Sequence, residues 1–232
     1  MRARARQAFE EVEEWIFDLD NTLYPAHLDL FSEIDRRMTA FIAEFLSLTP
    51  DRARALQKQY YRDHGTTLRG LMDRHGLDPE PFLAHVHAID LARLHPEPAL
   101  ARALARLPGR RIVYTNGSEA HARAVLAARG LGGLFGEIVD ITRARYEPKP
   151  WAGPLDRLVA DLGIAPARAA MFEDIARNLV HPHALGMRTV LVRSDRHPDA
   201  GDLYQHHEPA DLPPHVHFVT DDLTGFLEEI AG

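Results

Sequence analysis

The 232-residue chain has no cysteine, which excludes disulfides, thiolate metal sites and cysteine nucleophiles. That fits a reducing compartment, and a cytoplasmic location is expected. No apolar run approaches the roughly 18 residues that a membrane span requires, so no membrane partner is expected. Positive charge is in deficit: 27 Lys and Arg against 34 Asp and Glu give a formal net charge of −7. This disfavours a nucleic-acid backbone as partner. An anionic small substrate stays open, because a metal ion and a lysine can reverse a local field. Internal repeats and low-complexity tracts are absent too. The 45% hydrophobic content is ordinary for a globular protein, and the length allows one large domain or a domain with an insertion. The basic stretch Met1 to Arg6 lacks the apolar core of a secretory signal. It is followed by Glu10, Glu11, Glu13 and Glu14 and reads as a frayed, solvated leader.

The most informative segment runs from Trp15 to Pro25. Trp15-Ile16-Phe17 favours a strand, and Asp18-Leu19-Asp20-Asn21-Thr22 ends it with turn-forming residues. Two carboxylates are thereby placed at the carboxyl end of a buried strand, where open α/β sheets bind ligands. Buried carboxylates are costly unless a cation accompanies them.

Beyond this motif, Leu28, Phe31, Ile34, Met38, Phe41, Ile42 and Phe45 fall at steps of three and four, one face of an amphipathic helix. Thr49-Pro50 reads as an N-cap and first helical position, with the helix closing near His64 at Gly65. Further helical segments start near Leu68 and Pro81, the latter carrying Phe82, Leu83, Val86, Ile89 and Leu94. Residues 24–94 thus read as a helical bundle. Strands and helices then alternate: strands at 111–115, 138–140, 169–172, 189–192 and 216–219, with helices at 119–129, 152–161, 179–185 and 223–230. That alternation predicts an α/β core with a parallel sheet covered on both faces. Because the first strand precedes the bundle, the core is residues 1–23 and 95–232, and the bundle is an insertion.

Three further stations bear chemistry. Thr115 ends an apolar strand and is followed by Asn116-Gly117. Lys149 lies between Pro148 and Pro150, whose rings restrict the backbone around it. Glu173 and Asp174 end another strand, where adjacent acids repel unless a cation lies between them. Asp174 is expected to ligate a metal directly and Glu173 directly or through water, with Asn178 orienting them or simply exposed on a helix. Histidine is abundant, with 14 residues, but His181 and His183 flank Pro182 and His206-His207 lies in a Pro/Asp-rich loop, so a zinc site is not expected.

The order of these four stations resembles the haloacid dehalogenase superfamily. The resemblance implies a Rossmann-like core with a small all-helical cap, and Mg²⁺ as cofactor. It implies Asp18 as nucleophile and metal ligand, and Asp20 as general acid and base, with the Asp20 backbone carbonyl as a second ligand. Thr115, with the amides of Asn116 and Gly117, would hold phosphoryl oxygens, and Lys149 would offset their charge. Asp20 argues for phosphoryl transfer over dehalogenation, since only a leaving alkoxide needs a nearby acid. Asn21 to Pro25, Gly65 to Leu71, Thr115-Asn116-Gly117 with His121-Ala122, and Tyr146 to Pro150 look like the pyrimidine 5′-nucleotidase branch. That implies a small phosphorylated metabolite as partner, a nucleoside 5′-monophosphate, with Arg69 and His64 as contacts beyond the phosphate. A phosphatase of sugar phosphates or other small phosphoesters is the alternative. A receiver-like signalling module is disfavoured by the first-strand Asp-x-Asp and by the insertion. A monomer or homodimer is expected.

Overall fold

The computed structural model describes residues 2–193 and 212–231. In chain order the elements are α1 (Arg2–Phe9), β1 (Glu14–Phe17), α2 (Leu30–Phe45), α3 (Pro50–His64), α4 (Thr67–His75), α5 (Pro79–Val86), α6 (Pro98–Arg106) and β2 (Arg110–Tyr114). There follow α7 (Glu119–Ala128), β3 (Glu137–Val139), α8 (Ala152–Leu162), β4 (Ala169–Glu173), α9 (Val180–Ala184), β5 (Arg188–Val192), β6 (Phe218–Thr220) and α10 (Leu223–Ala231). The six strands pair in the order β3-β2-β1-β4-β5-β6, every pair parallel. The chain leaves the central β1 toward one edge and returns to the other, the doubly wound pattern.

Alternation along the strands makes two cores. Trp15, Phe17, Val113, Phe172 and Val190 face one layer with residues of α1, α6, α7 and α10. Ile16, Ile112, Met171 and Leu191 face the other with Leu155 and Leu158 of α8. Trp15, Ile16 and Phe17 are essentially inaccessible, and burying each such side chain stabilises the fold by about 1.5–3 kcal/mol.

In the chain the helices α2 to α5 come between β1 and β2, and they close on an apolar cluster centred on Ile34, Ile42, Tyr60, Leu71, Phe82 and Leu83 that also takes in Ile141 from the loop after β3. Their lengths follow local signals. Pro50 opens α3, and Gly65 ends it with φ +85°. Thr49, however, makes no side-chain cap bond. Ile89 and Leu94 lie beyond α5 in irregular chain.

Two expectations are corrected. The basic leader is not frayed: Arg2–Phe9 is helical, and its Phe9 is buried, stacked on Trp15 at 6.0 Å between ring centroids and touching Phe218 and Phe226. Arginine is a good helix former, and one buried aromatic anchors the segment. The helix α6 was not foreseen, although Pro98 at its start and the Leu100, Ala103, Leu104 stripe signal it. Among the described residues no helix is long and apolar enough to cross a membrane.

Candidate active site

Parallel pairing puts the ends of β1, β2 and β4 side by side, so the residues that follow them share one edge. The Asp18 amide donates to Phe172 O (2.9 Å) and the Thr115 amide to Val139 O (3.0 Å), extending the ladder to the first residues of the site. Lys149 arrives from the loop after β3, 131 residues from Asp18 in sequence.

The centre is a buried charge cluster. Lys149 Nζ donates to Asp18 Oδ1 (2.5 Å), Glu173 Oε2 (2.7 Å) and Tyr114 O (3.0 Å), which uses all three of its protons. Asp18, Glu173 and Asp174 each offer a carboxylate oxygen within 4.8 Å of the others. Three acids against one ammonium leave an excess of negative charge in a place water barely reaches. Burial, reinforced by Glu173, therefore pushes Asp18 up to about 7, and the same causes hold Asp174 well above the usual carboxylate range. Burial alone would lower Lys149, but Asp18 and Glu173 hold it above its ordinary value, so it stays charged. The donor set is all oxygen and too negative for its ammonium, the chemistry of a hard divalent cation site. Asn178 is buried, not exposed, in the same wall, and its Oδ1 has no hydrogen-bond partner among the described residues.

Asp20 lives in a different environment. Its Oδ1 accepts from Tyr24 Oη (2.7 Å) and meets His121 Nε2 (2.9 Å). Burial opposes its ionisation, yet the His121 and Tyr24 partners outweigh that and bring it down to about 2. As an ionised acid it has only acceptors, so the imidazole Nε2–H is the donor. Two carboxyls one residue apart are thus driven in opposite directions: burial among acids favours the proton on Asp18, while two donors favour the ionised form of Asp20.

Thr115 and Asn116 are held tightly. Thr115 Oγ1 accepts the Gly117 amide (2.9 Å), so that amide is already engaged. Asn116 clamps the lysine loop: its Oδ1 accepts the Lys149 amide (2.9 Å) and its Nδ2 donates to Lys149 O (3.4 Å). Sequence reasoning missed this role, and also those of Thr22, whose hydroxyl donates to Asp18 Oδ2 (3.3 Å), and Asn21, which reaches Asp174 Oδ2 (3.4 Å) from a left-handed backbone. The Asn-Thr pair was legible as a turn signal and as part of the segments that carry the resemblance, but not as the source of these bonds.

A cavity opens from this cluster under the helical insertion. Asp18, Asp20, Thr115, Asn116, Gly117, Lys149, Glu173 and Asp174 all line it, opposite Phe31, Ile34, Met38, Phe82, Leu83 and Val86. Arg69 and His64 are not brought there. Both engage Asp73, at 2.8 Å and 3.1 Å, and the Arg69 guanidinium stands over the Trp151 ring. The cation that does join the lining from outside the charge cluster is Arg177, stacked on Tyr61 of α3 at 4.6 Å. The described His181 pairs with Asp156, and His183 packs on His217. Among the described residues no cluster of metal-ligand spacing includes either, and His206 and His207 lie outside the described residues.

Residues 16–179 match the family model described as haloacid dehalogenase-like hydrolase. Solved structures share the fold at low identity. A phosphatase of this superfamily from Thermococcus onnurineus is 17% identical, with a TM-score of 0.60 over 95% of this chain and 98% of its own. CbbY from Rhodobacter sphaeroides, in complex with phosphate, is 19% identical with a TM-score of 0.59 over 94% and 96%. L-2-haloacid dehalogenase from Xanthobacter autotrophicus, with chloropropionic acid covalently bound, is 17% identical with a TM-score of 0.54 over 95% and 99%.

Proposed function

Because the chain belongs to the haloacid dehalogenase-like hydrolases, we propose that it is a Mg²⁺-dependent phosphomonoester hydrolase acting on pyrimidine nucleoside 5′-monophosphates. The observation that carries the phosphatase half is the pair Asp18 and Asp20, one carboxyl beside Lys149 and two further acids, the other fixed by Tyr24 and His121. Phosphoryl transfer needs a nucleophile and an acid at this spacing, and displacement of a halide needs no acid.

In this reading Asp18 Oδ2 or Oδ1 attacks phosphorus and an aspartyl phosphate forms. Asp20 passes a proton to the leaving oxygen, then takes one from the water that attacks the acyl phosphate. Asp20 is ionised while the cavity is empty, and an arriving phosphate places negative charge next to it, which favours protonation. Lys149 holds Asp18 and offsets charge on the transferring group. Thr115 and Asn116 orient the phosphoryl oxygens and the lysine loop. Asp18, Asp174 and Glu173, with the Asp20 backbone carbonyl, would hold Mg²⁺. That ion would neutralise the excess acid and polarise the phosphoryl oxygens.

The insertion is read as a cap that covers the leaving group and excludes water. Its wall of Phe31, Ile34, Met38, Phe82, Leu83 and Val86 favours a planar base over a polyol, which supports a nucleotide over a sugar phosphate. Arg177 favours a second reading, a small phosphoester with another anionic group.

A panel of phosphate esters ranked by kcat/KM tests the proposal. UMP and CMP are expected at the top, with Asp18→Asn inactive and EDTA abolishing turnover until Mg²⁺ is restored. A dianionic sugar phosphate at the top would replace the nucleotide reading. Activity retained in Asp18→Asn would remove the nucleophile.

A further inference from the structure

We infer that His121 is a positioning residue for the acid–base step, fixing the Asp20 carboxyl together with Tyr24 and tying it to the helical insertion through His87. The inference rests on the phosphatase reading above but not on any particular substrate.

Asp20 sits in the turn after β1, where its short side chain could adopt several rotamers. Two donors converge on the same oxygen, Tyr24 Oη at 2.7 Å and His121 Nε2 at 2.9 Å from Oδ1. They fix the plane of the carboxyl. Oδ2 receives no hydrogen bond among the described residues, and Asp20 lines the cavity, so that oxygen is free for a leaving group.

His121 itself is firmly held. It is in the first turn of α7 and its side chain is 1% exposed. Its amide donates to Ser118 Oγ (3.3 Å), the N-cap of the helix. That same hydroxyl meets His87 Nδ1 at 3.0 Å, and the two imidazoles stack at 4.4 Å with planes 13° apart. Burial and the neighbouring His121 hold His87 down to about 3, so a neutral ring faces its neighbour. Gly117 makes room for the stack, since a Cβ there would lie 3.3 Å from His121 Cδ2 and 3.6 Å from His87 Nε2.

His87 directly follows α5, whose Phe82, Leu83 and Val86 line the cavity. A shift of α5 toward a bound leaving group therefore moves the ring that backs His121. Orientation of the acid is linked mechanically to occupancy of the apolar wall. A histidine that only filled space would not need its polar edge directed at a cavity-lining carboxylate.

The test compares phenyl phosphate with p-nitrophenyl phosphate, esters of similar shape whose leaving oxygens differ in basicity, using the full-length enzyme with Mg²⁺. Positioned general acids contribute typically 10²–10⁴-fold, so His121→Ala should lower kcat/KM for phenyl phosphate about 100-fold and for p-nitrophenyl phosphate about 10-fold or less. His121→Gln, whose side-chain amide can donate to the same oxygen, should recover most of the loss. Tyr24→Phe should show the same discrimination more weakly, and it carries the test if His121→Ala fails to fold. Equal losses on both esters, or no loss on phenyl phosphate, would overturn the inference. Asp20→Asn is the control. If it spares phenyl phosphate, Asp20 is not the acid, and the reading beneath falls with the inference, whereas a loss in Asp20→Asn with His121→Ala unaffected sinks the inference alone.

Discussion

On the proposed Mg²⁺ reading, the buried acid cluster should make the stability of this protein depend on pH and on a divalent cation together. Asp18 stands near 7 in the folded chain against an ordinary 3.8, because of burial first and Glu173 second. Between those values the folded state keeps a proton that the unfolded chain has released. Stability therefore falls as pH rises from about 4 to about 7, and the full cost above that window is roughly 4 kcal/mol. Mg²⁺, bound as proposed, would supply the missing positive charge and compete with that proton. At a hundredfold excess over its Kd it should add about 2.7 kcal/mol, which for a chain of this size is about 5–10 °C in Tm. Thermal unfolding followed by fluorescence, in EDTA and in Mg²⁺ at about pH 5.5 and about pH 8, reads this directly. The Mg²⁺ shift should be large at the higher pH and small at the lower. Asp174→Asn removes one repelling acid, so it should raise the EDTA Tm at high pH while abolishing the Mg²⁺ shift. An equal Mg²⁺ shift at both pH values, or a full shift in Asp174→Asn, would refute the reasoning.

Lys149→Met leaves Asp18 and Glu173 without their cation and should cost about 3–5 kcal/mol in urea unfolding, together with activity. Asn116→Ala releases the lysine loop. It should cost about 1–3 kcal/mol for the unpaired backbone groups, and kcat should fall more than KM changes. Gly70→Ala would place a methyl 2.4 Å from Tyr60 Cβ, where α3 and α4 meet. Such overpacking costs typically 1–3 kcal/mol, measurable as a lower Tm with the charge cluster untouched.

Much of the fold was legible because it depends on short-range signals. The run Trp15-Ile16-Phe17 ending in two acids could only be a strand end, and Gly65 or Pro50 mark helix limits whatever the tertiary context. The leader was misread because Met1 to Arg6 says little by itself, while Phe9, which ties the helix to the core, acts through partners such as Phe218 and Phe226 far along the chain. In the site, Asp18, Thr115, Lys149 and Asp174 were visible as strand-end or proline-bounded residues. His121 was legible only within a branch-like segment with Ala122, without a role, because its significance is a contact across 101 residues of sequence. Arg69 was a different kind of miss: Asp73 stands four residues later on the same helix, so its partner was readable from spacing alone.

The placement of the insertion has a consequence for biogenesis. Glu14 of β1 meets Arg110 of β2 across 96 residues, and β1's other neighbour, β4, emerges later still. During synthesis the helices from Leu30 to Val86 can settle on their apolar cluster, while β1 waits unpaired. Such long-range pairing is slow and leaves sticky backbone exposed. The nascent chain should therefore depend on chaperones until Glu173 has left the ribosome, and truncations ending before β4 should aggregate even though the helical segment within them is already formed.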